Sequence, residues 1–314
     1  MTIASSGGSD PDQAIDVSVL LITYNHARFI RAAIESVLSQ RTKRSFELIV
    51  SEDASNDGTR EIVREFANRD ARIRPIFSTR NLRSNEPVKR ALDLARGRYV
   101  CVLDGDDRWL VDDKIERQAD LLGEYPDASA CFHNSLVACD DSDRPTDKRW
   151  TAPDLGARVT FSELWEGNPF ATSAGMLRRS ALESLGDWYV NCFPITDWPL
   201  YLLCAEQGDI LFVDEPVGLY RLHAGGEVSG MQESGRLRLI ARFYKQMTTA
   251  NGGKWAEMAR DGGSLYFVGK ARRFLEQGQA SAARLSLKLA LQAGGVGQSV
   301  YWRDWLGLAR RSIR

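Results

Sequence analysis

The feature that most constrains the fold is a short apolar segment that ends abruptly in three carboxylates. Residues 99–103 read Tyr-Val-Cys-Val-Leu, and Asp104, Asp106 and Asp107 follow within four positions. A strand of this composition is normally covered by helices on both faces, as in a parallel sheet. The carboxylates would then lie at the carboxyl end of the strand, where open α/β sheets bind their ligands.

Three carboxylates at one strand end repel one another unless they share a cation or a set of hydrogen-bond donors. Oxygen ligands alone suit a hard ion such as Mg²⁺ or Mn²⁺. A solvated acidic turn is the alternative that these residues by themselves leave open. The segment therefore predicts either a metal site or an exposed turn.

Strands and helices alternate upstream of the acidic segment. Apolar runs predict strands at 17–22, 46–50 and 73–77, and apolar residues at helical spacing predict a helix after each of them. We expect Asn25 to cap the first helix. The short loops indicate a parallel sheet wound by right-handed crossovers.

The second half of the chain is less regular. Residues 128–137 predict a strand, and the Asp-rich, aperiodic stretch 139–160 predicts a mobile loop or lid. Residues 171–177 read as extended, and 210–213 and 217–222 read as two strands. From Gln232 onward the chain looks helical, with breaks expected at the glycine pairs 252–253 and 262–263.

Length and charge indicate one large domain with an appendage. We expect a disordered terminus at 1–14, a wound-sheet domain at 15–231 and a helical region at 232–314. The net charge is −1, yet from Gln232 onward 15 Lys and Arg face 5 Asp and Glu. Five cysteines without metal-type spacing, no basic or apolar leader and no membrane-length apolar run favour a cytoplasmic protein in a reducing compartment.

Three polar loops follow neighbouring strands of the predicted sheet, at 23–25, 52–55 and 104–107. Together they could hold one elongated ligand. No Gly-rich phosphate loop follows the first strand, which argues against an ATPase and against a dinucleotide-dependent oxidoreductase. Any phosphates would have to be held by a metal instead.

These motifs resemble glycosyltransferase family 2, the inverting transferases of GT-A fold. The match reads Val-Ser-Val-x-x-x-Thr-Tyr-Asn at 17–25, Glu-Asp-x-Ser-x-Asp-Gly-Thr at 52–59 and Gly-Arg-Tyr-x-x-x-Leu-Asp-Gly-Asp-Asp-x-Trp at 97–109. Lys114 and Gln118 fit the helix that follows. The resemblance covers about residues 16–230, and four motifs in order are far more specific than one.

The resemblance implies a nucleoside-diphosphate sugar as donor, with uridine-type recognition favoured. Asp53 resembles the carboxylate that accepts a hydrogen bond from the base, and Tyr24 the ring beside it. Asp106 and Asp107 resemble the family's ribose and metal contacts, with Asp104 as the first carboxylate of the motif. The resemblance also places Ile22, Asn25 and Asp106 among the nucleotide-binding residues, and Mn²⁺ or Mg²⁺ at the carboxylates.

Two later segments also resemble the family. Asp197, in Pro194-Ile-Thr-Asp-Trp198, resembles the base that deprotonates the acceptor hydroxyl; a helix N-cap is the alternative. His223, in the Tyr-Arg-Leu-His segment at 220–223, resembles a third metal or phosphate contact. His26 and His133 have no such context, and we interpret both as structural.

The chain departs from the family pattern after the third strand. It has Asn81-Leu-Arg83 where relatives have Asn-x-Gly, and Lys89 where Asn is usual. Arg83 or Lys89 could contact the pyrophosphate themselves. Trp165, Trp188 and Trp198 could stack on acceptor sugars, with Trp198 favoured because it adjoins Asp197; burial in the core is the alternative.

The resemblance implies a metal-dependent inverting glycosyltransferase that acts on a hydroxyl of a saccharide or lipid-linked glycan, in cell-surface polysaccharide synthesis. A sugar-nucleotide pyrophosphorylase would need a Gly-rich phosphate loop after the first strand, which Thr23-Tyr-Asn-His-Ala-Arg28 is not. A non-catalytic carbohydrate or nucleotide-sugar binding module derived from a transferase would be expected to lose Asp106, Asp107 or Asp197, and all three are present. No nucleic-acid partner is expected.

The basic tail could form an amphipathic helix. Residues 299–314 place Trp302, Trp305, Leu306, Ala309 and Ile313 at helical spacing, with Arg303, Arg310 and Arg314 largely opposite. Such a face suits peripheral contact with an anionic membrane that presents a lipid-linked acceptor. Packing on the catalytic domain, or on a second subunit of a homo-oligomer, is the alternative.

Overall fold

The computed structural model describes residues 14–139, 144–152, 154–223, 225–293, 305–309 and 311–312. Apart from Ala14, the terminus predicted to be disordered lies outside these residues. So does part of the predicted 139–160 loop, whose described portion contains a backbone bridge between Leu136 and Arg149.

A mixed sheet forms the centre of the described protein. Its strands are β1 (Val17–Thr23), β2 (Phe46–Glu52), β3 (Ile73–Phe77), β4 (Tyr99–Asp104), β5 (Arg108–Trp109), β6 (Ala130–Cys139), β7 (Arg158–Val159), β8 (Gly175–Arg178) and β9 (Ile210–Leu222). They lie in the order β3-β2-β1-β4-β8-β6-β9-β5, and β7 pairs with β9.

The first four strands confirm the predicted parallel, wound half of the sheet. β1 lies between β2 and β4, with Val19 paired to Leu48 on one side and to Cys101 on the other. Alternate residues point to opposite faces, so Leu20 belongs to one buried cluster and Val19 to another. Because both faces are covered, these strands read as continuous apolar runs.

The second half of the sheet differs from the prediction. β8 runs antiparallel to both β4 and β6, and β9 runs parallel to β6. The two strands expected at 210–213 and 217–222 are the single strand β9, whose register against β6 shifts around Asn134. Pro216 lies at this irregularity, where a missing N–H is tolerated. The segment expected to be extended begins as a 3₁₀ turn, Thr172–Ala174.

Helices cover the sheet and form the region after it. They are α1 (Ile30–Leu38), α2 (Thr59–Ala67), α3 (Glu86–Leu94), α4 (Lys114–Glu124), α5 (Phe161–Leu164), α6 (Trp198–Gln207), α7 (Glu233–Met247), α8 (Ala256–Glu276) and α9 (Ala280–Ala293). The predicted cap at Asn25 is wrong, because α1 begins after Phe29. Asn25 has φ +56°, and its side-chain oxygen accepts the N–H of Asn56 instead.

The helical region shares its core with the sheet domain. The predicted break at 252–253 is confirmed, but that at 262–263 is wrong, because α8 continues through both glycines. A Cβ at Gly262 would lie 2.5 Å from the Trp165 carbonyl oxygen, and one at Gly263 3.0 Å from the Tyr244 side chain. These glycines therefore allow close helix packing rather than ending the helix.

The described part of the tail packs on the protein. Trp305 Nε1 donates to the Leu287 carbonyl oxygen at 3.2 Å, and Leu308 is buried, whereas Leu306 is 45% exposed. This packing supports the protein-contact alternative for Trp305, while Trp302, Ile313, Arg303, Arg310 and Arg314 lie outside the described residues. Membrane contact stays a prediction. Within the described ranges no helix has both the length and the apolar character needed to cross a bilayer.

Candidate active site

The acidic turn after β4 is pressed against the end of β1. The Gly105 N–H donates to the Ile22 carbonyl oxygen at 2.8 Å. A Cβ at Gly105 would lie 2.6 Å from Thr23 Oγ1 and 2.9 Å from His26 Nδ1, so a larger residue does not fit here. The glycine within the Asp-Gly-Asp sequence is thus a steric requirement of the contact between the first and third polar loops.

Asp106 faces two histidines. Its Oδ2 atom lies 3.0 Å from His223 Nε2 and 3.7 Å from His26 Nε2. Burial acts to raise the pKa of Asp106, but the two histidines outweigh it, so the pKa lies below its usual range. His26, which we interpreted as structural, lies with its ring beside this carboxylate, and its role stays a prediction.

Asp107 is buried with one oxygen unpaired. Its Oδ1 accepts the Arg221 N–H at 2.9 Å, whereas Oδ2 has no hydrogen-bond partner among the described residues. The Arg221 guanidinium also donates to the Asp106 carbonyl oxygen. Burial, then Asp106 and Asp104, raise the pKa of Asp107 well above its ordinary value. Arg221, within the late Tyr-Arg-Leu-His segment, is a site residue that sequence reasoning missed.

Asp104 and Asp197 complete a group of four carboxylates. Burial, with the charges of Asp106 and Asp197, raises the pKa of Asp104 to about 8, against a hydrogen bond from Thr172. Asp197 belongs to the loop before α6, far along the chain from the acidic turn. The fold therefore brings four carboxyl groups together, and burial with their mutual repulsion favours the protonated forms of Asp104 and Asp107.

This group of carboxylates fits a divalent cation. Asp107 Oδ2 is a buried oxygen without a partner, and repulsion among the carboxylates would be relieved by positive charge. Within the described ranges, however, no three His, Cys, Asp or Glu side chains form a ready metal-binding set. Asp106 and His223 were both predicted to be metal ligands, but here their side chains contact each other. A site that takes one or two carboxylates and completes its shell with phosphate and water suits Mg²⁺ or Mn²⁺.

Asp197 is both a helix cap and a member of the acidic site. Its Oδ1 accepts the Trp198 N–H at 2.8 Å, and its Oδ2 accepts from Asn168 Nδ2 at 2.7 Å. Asn168 is itself oriented, because its Oδ1 accepts the Phe170 N–H. Burial raises the pKa of Asp197, although these hydrogen bonds act in the opposite direction. Asn168 had no sequence signal that would have singled it out.

Asp53 lies at the other end of the site with a free acceptor. Its Oδ2 accepts the Leu82 N–H at 2.9 Å, and its buried Oδ1 has no hydrogen-bond partner among the described residues. Burial raises the pKa of Asp53. The loop is tied to that of Tyr24 because the Asn25 N–H donates to Ser55 Oγ. An N–H group of a ligand could therefore satisfy Asp53 Oδ1.

The two cations predicted beside the pyrophosphate lie in different surroundings. Lys89, on α3, lies 3.3 Å from Asp93 Oδ2 and 3.9 Å from Asp187 Oδ1. Arg83 is exposed, with φ +45°, and follows Leu82 of the Asp53 contact. Contact of either cation with phosphate stays a prediction.

The predicted acceptor role of the tryptophans is wrong for Trp198. It is 3% exposed, stacks on Phe243 at 4.7 Å between ring centroids and donates from Nε1 to the Leu164 carbonyl oxygen. Trp188 is half-buried and packs edge-on against Trp255 at 5.5 Å. The core alternative therefore holds for Trp198, whereas acceptor contact by Trp188 stays a prediction.

We expect Trp198→Ala to lower the free energy of unfolding by about 3–5 kcal/mol, as for other large-to-small core substitutions. Trp150→Ala is the matched control, because Trp150 is 38% exposed although its ring also packs on an aromatic neighbour, Tyr220, at 4.2 Å between ring centroids. That control should cost about 1 kcal/mol or less. Urea denaturation measures both; equal losses would contradict the core assignment of Trp198.

The glycosyl transferase family 2 model matches residues 18–186. A protein of Mycobacterium tuberculosis is 32% identical over 213 residues, which are 67% of this chain and 60% of that protein. The putative teichuronic acid biosynthesis glycosyltransferase TuaG of Bacillus subtilis is 36% identical over 44% of this chain and 53% of its own length. The chain thus spans about 60% of the length of the first of these relatives.

Solved structures share the fold at low sequence identity. The chain superposes on residues 1–349 of S. aureus TarS in complex with UDP-GlcNAc with a TM-score of 0.61, 17% identity and coverage of 95% of this chain and 81% of that fragment. A mannosyltransferase of Pyrobaculum calidifontis, in complex with GDP-Man and Mn²⁺, gives 0.59 and 18%, with coverage of 97% and 86%. These similarities confirm the GT-A fold with its C-terminal helices.

Proposed function

The chain belongs to glycosyl transferase family 2, and on that premise we propose that it moves a sugar from a nucleoside-diphosphate donor to a hydroxyl of a saccharide or lipid-linked glycan. The observation that carries the proposal is that the two ends of the site, along one edge of the sheet, differ in chemistry. At one end Asp53 keeps a buried acceptor free, and at the other Asp104, Asp107 and Asp197 form a cluster of carboxyl groups in which Asp107 Oδ2 has no hydrogen-bond partner among the described residues. A base at the first end would leave the sugar and diphosphate near the second.

Known proteins support the chemical classes involved. TarS was solved with UDP-GlcNAc and the Pyrobaculum mannosyltransferase with GDP-Man and Mn²⁺, while TuaG is named for teichuronic acid synthesis. We therefore propose a nucleotide sugar as donor, a divalent metal as cofactor and cell-surface polysaccharide synthesis as the process. A cytoplasmic location, with or without peripheral membrane contact or homo-oligomers, stays a prediction.

The nucleotide is proposed to lie along the first and second polar loops. Asp53 Oδ1 would accept an imide or amide N–H of the base. Tyr24, Ile22 and Asn25 would flank the base and ribose, and Asp106 would contact the ribose or the metal. Arg83 or Lys89 would meet the diphosphate.

Asp104 and Asp107 are the residues proposed to hold the metal, with Asp106 and His223 beside them. A bound Mn²⁺ or Mg²⁺ would offset the negative charge that develops on the leaving diphosphate. Arg221 fixes the turn by donating to both Asp106 and Asp107, so the carboxylates are already positioned before a ligand arrives. Such preorganisation reduces the cost of reaching the transition state.

Asp197 is proposed to remove the proton from the attacking hydroxyl in a single in-line displacement with inversion. A helix N-terminus favours the ionised carboxylate and would weaken it as a base. Burial acts in the opposite direction and outweighs the hydrogen bonds, so the pKa of Asp197 is raised. A raised pKa makes the carboxylate a stronger base. Asn168 would act as a positioning residue that aims its Oδ2.

A donor screen tests this function. Release of nucleoside diphosphate from UDP-, GDP- and dTDP-sugars should occur with Mn²⁺ or Mg²⁺ for at least one donor and stop with EDTA. Asp53→Asn should raise the donor KM by about tenfold or more, because one buried carboxylate acceptor becomes an amide. Tight binding of a nucleotide sugar with neither hydrolysis nor transfer would support the binding-module alternative instead.

A further inference from the structure

A groove of about 590 Å³ is lined by segments that also carry residues of the proposed active site. It lies between the loop after β3, the segment before α6, the segment after β9 and α7. Three arginines line it, Arg83, Arg238 and Arg242, against one carboxylate, Glu227. Its remaining surface is largely apolar and includes Val190, Phe193, Pro194, Met231 and Leu239.

Three walls of the groove continue from segments of the proposed site. Arg83 follows Leu82, whose N–H bonds Asp53. Pro194 precedes Asp197 by three residues, and Glu227 follows His223 by four. The groove therefore shares its lining segments with Asp53, Asp197 and His223.

None of the three groove arginines pairs with a carboxylate of the described residues. The side chains of Arg83 and Arg238 are exposed and make no hydrogen bond or ion pair to the described residues. Arg242 donates to the Phe193 carbonyl oxygen, and no carboxylate among the described residues pairs with its charge. Several other arginines do pair with carboxylates, as in Arg31–Glu65, Arg149–Asp214 and Arg158–Asp127.

Guanidinium groups and apolar side chains in one groove match a defined chemistry. Guanidinium groups bind carboxylate and phosphate in a planar, two-pronged geometry. Apolar side chains suit the C–H faces of a sugar ring. Neither feature alone names a ligand, but together they fit a glycan that carries oxyanions.

We propose that this groove binds the acceptor, and that the acceptor is an anionic glycan whose carboxylate or phosphate groups flank the reacting hydroxyl. This inference rests on the proposed transferase function. Uronic acids and phosphodiester-linked polyols offer the same oxyanion chemistry, so binding measurements must compare both.

Fluorescence anisotropy with labelled oligosaccharides tests the acceptor class in the presence of UDP and Mn²⁺. Hexagalacturonate supplies carboxylates, a glycerol phosphate hexamer supplies phosphates, and maltohexaose is the neutral control. We expect at least one anionic probe to bind ten or more times more tightly than maltohexaose, and its affinity to fall between 50 and 300 mM NaCl. Equal or absent binding of all three probes would overturn the proposal.

The variant Arg238→Gln/Arg242→Gln removes two groove charges. We expect about a fiftyfold weaker affinity for the bound anionic probe, because removing each charge-assisted hydrogen bond weakens binding several-fold. The matched control is Arg236→Gln/Lys245→Gln, which removes two charges from α7 outside the groove and should change the affinity less than twofold. Thermal melting of both variants checks that the fold is kept.

UDP titration separates this inference from the proposed function. UDP affinity should be the same in the wild type and the groove variant. If UDP affinity falls while probe binding is kept, the groove serves the donor diphosphate and the acceptor proposal is wrong. If the wild type binds an anionic probe but no nucleotide, the transferase function fails instead.

Discussion

Asp197→Asn should lower kcat by about a hundredfold or more while the affinity for the donor stays unchanged, because an amide cannot accept the acceptor proton. The substitution keeps the size of the side chain and the oxygen that accepts the Trp198 N–H. Asparagine is as good a helix cap as aspartate, so the helix should persist. Transfer kinetics with saturating donor, together with nucleotide binding, measure the two quantities separately.

Exchange of two neighbouring side chains gives a sharper control. Asp197 Oδ2 accepts from Asn168, so Asp197→Asn/Asn168→Asp keeps the hydrogen bond and the net charge but moves the carboxylate. The Phe170 N–H can still be accepted at position 168. We expect the double variant to remain inactive, because a carboxylate is needed at position 197 itself. Restored turnover would show that only local charge matters.

The pH profile gives a second readout of this site. Burial raises the pKa of Asp197, so the acidic limb of kcat/KM should lie above about pH 4, the ordinary aspartate value. Asn168→Ala removes a hydrogen bond that stabilises the carboxylate, and the limb should move to still higher pH. If Asp197 were only a helix cap, Asp197→Asn would keep its turnover, and Asn168→Ala would lower the melting temperature with little change in turnover.

The first half of the fold could be predicted because each of its strands is buried on both faces. Leu20 and Val19 pack into different clusters, and the resulting apolar runs are visible in sequence. The second half of the sheet could not be predicted, because β8 is only four residues long and its antiparallel pairing depends on contacts from distant segments. The glycine pair at 262–263 was predicted to end a helix for a related reason. Glycine is needed at Gly262 because Trp165, 97 positions earlier, packs too close for a Cβ, and the local sequence does not show this contact.

The site residues divide in the same way. Asp53, Asp104, Asp107 and Asp197 were predicted by motif and lie at one sheet edge, whereas Asn168 is recognised only from its contact with Asp197. Trp198 was wrongly predicted to contact the acceptor, although the sequence indicates that it is buried. Residues 198–205 are apolar or uncharged around the whole helix, and such helices are buried on all sides.

The second large effect that we expect is that Asp107→Asn loses both transfer activity and its response to metal. The carboxylate Oδ2 is buried without a partner, and the like charges of Asp106 and Asp104 surround it. An amide removes that repulsion but binds divalent cations far more weakly than a carboxylate. Transfer should fall by about a hundredfold or more, and Mn²⁺ should no longer raise the melting temperature with UDP bound.

The same repulsion predicts how stability depends on pH without metal. A carboxyl whose pKa is raised on folding keeps its contribution to stability at low pH and loses it as pH rises, because the native state must release a proton. For Asp104 that loss extends to about pH 8. In EDTA, Asp104→Asn should therefore melt a few degrees above the wild type at pH 8, with a smaller difference at pH 5.

Asp112→Asn is the matched control for both variants, since it removes a carboxylate that is exposed and paired with Arg41 in solvent. Exposed ion pairs contribute about 0–1 kcal/mol, so this variant should keep its turnover, its response to Mn²⁺ and its melting temperature. A wild-type response to Mn²⁺ in Asp107→Asn would show that the cation binds elsewhere. Equal melting of Asp104→Asn and wild type in EDTA would mean that hydrogen bonds already balance the four carboxylates.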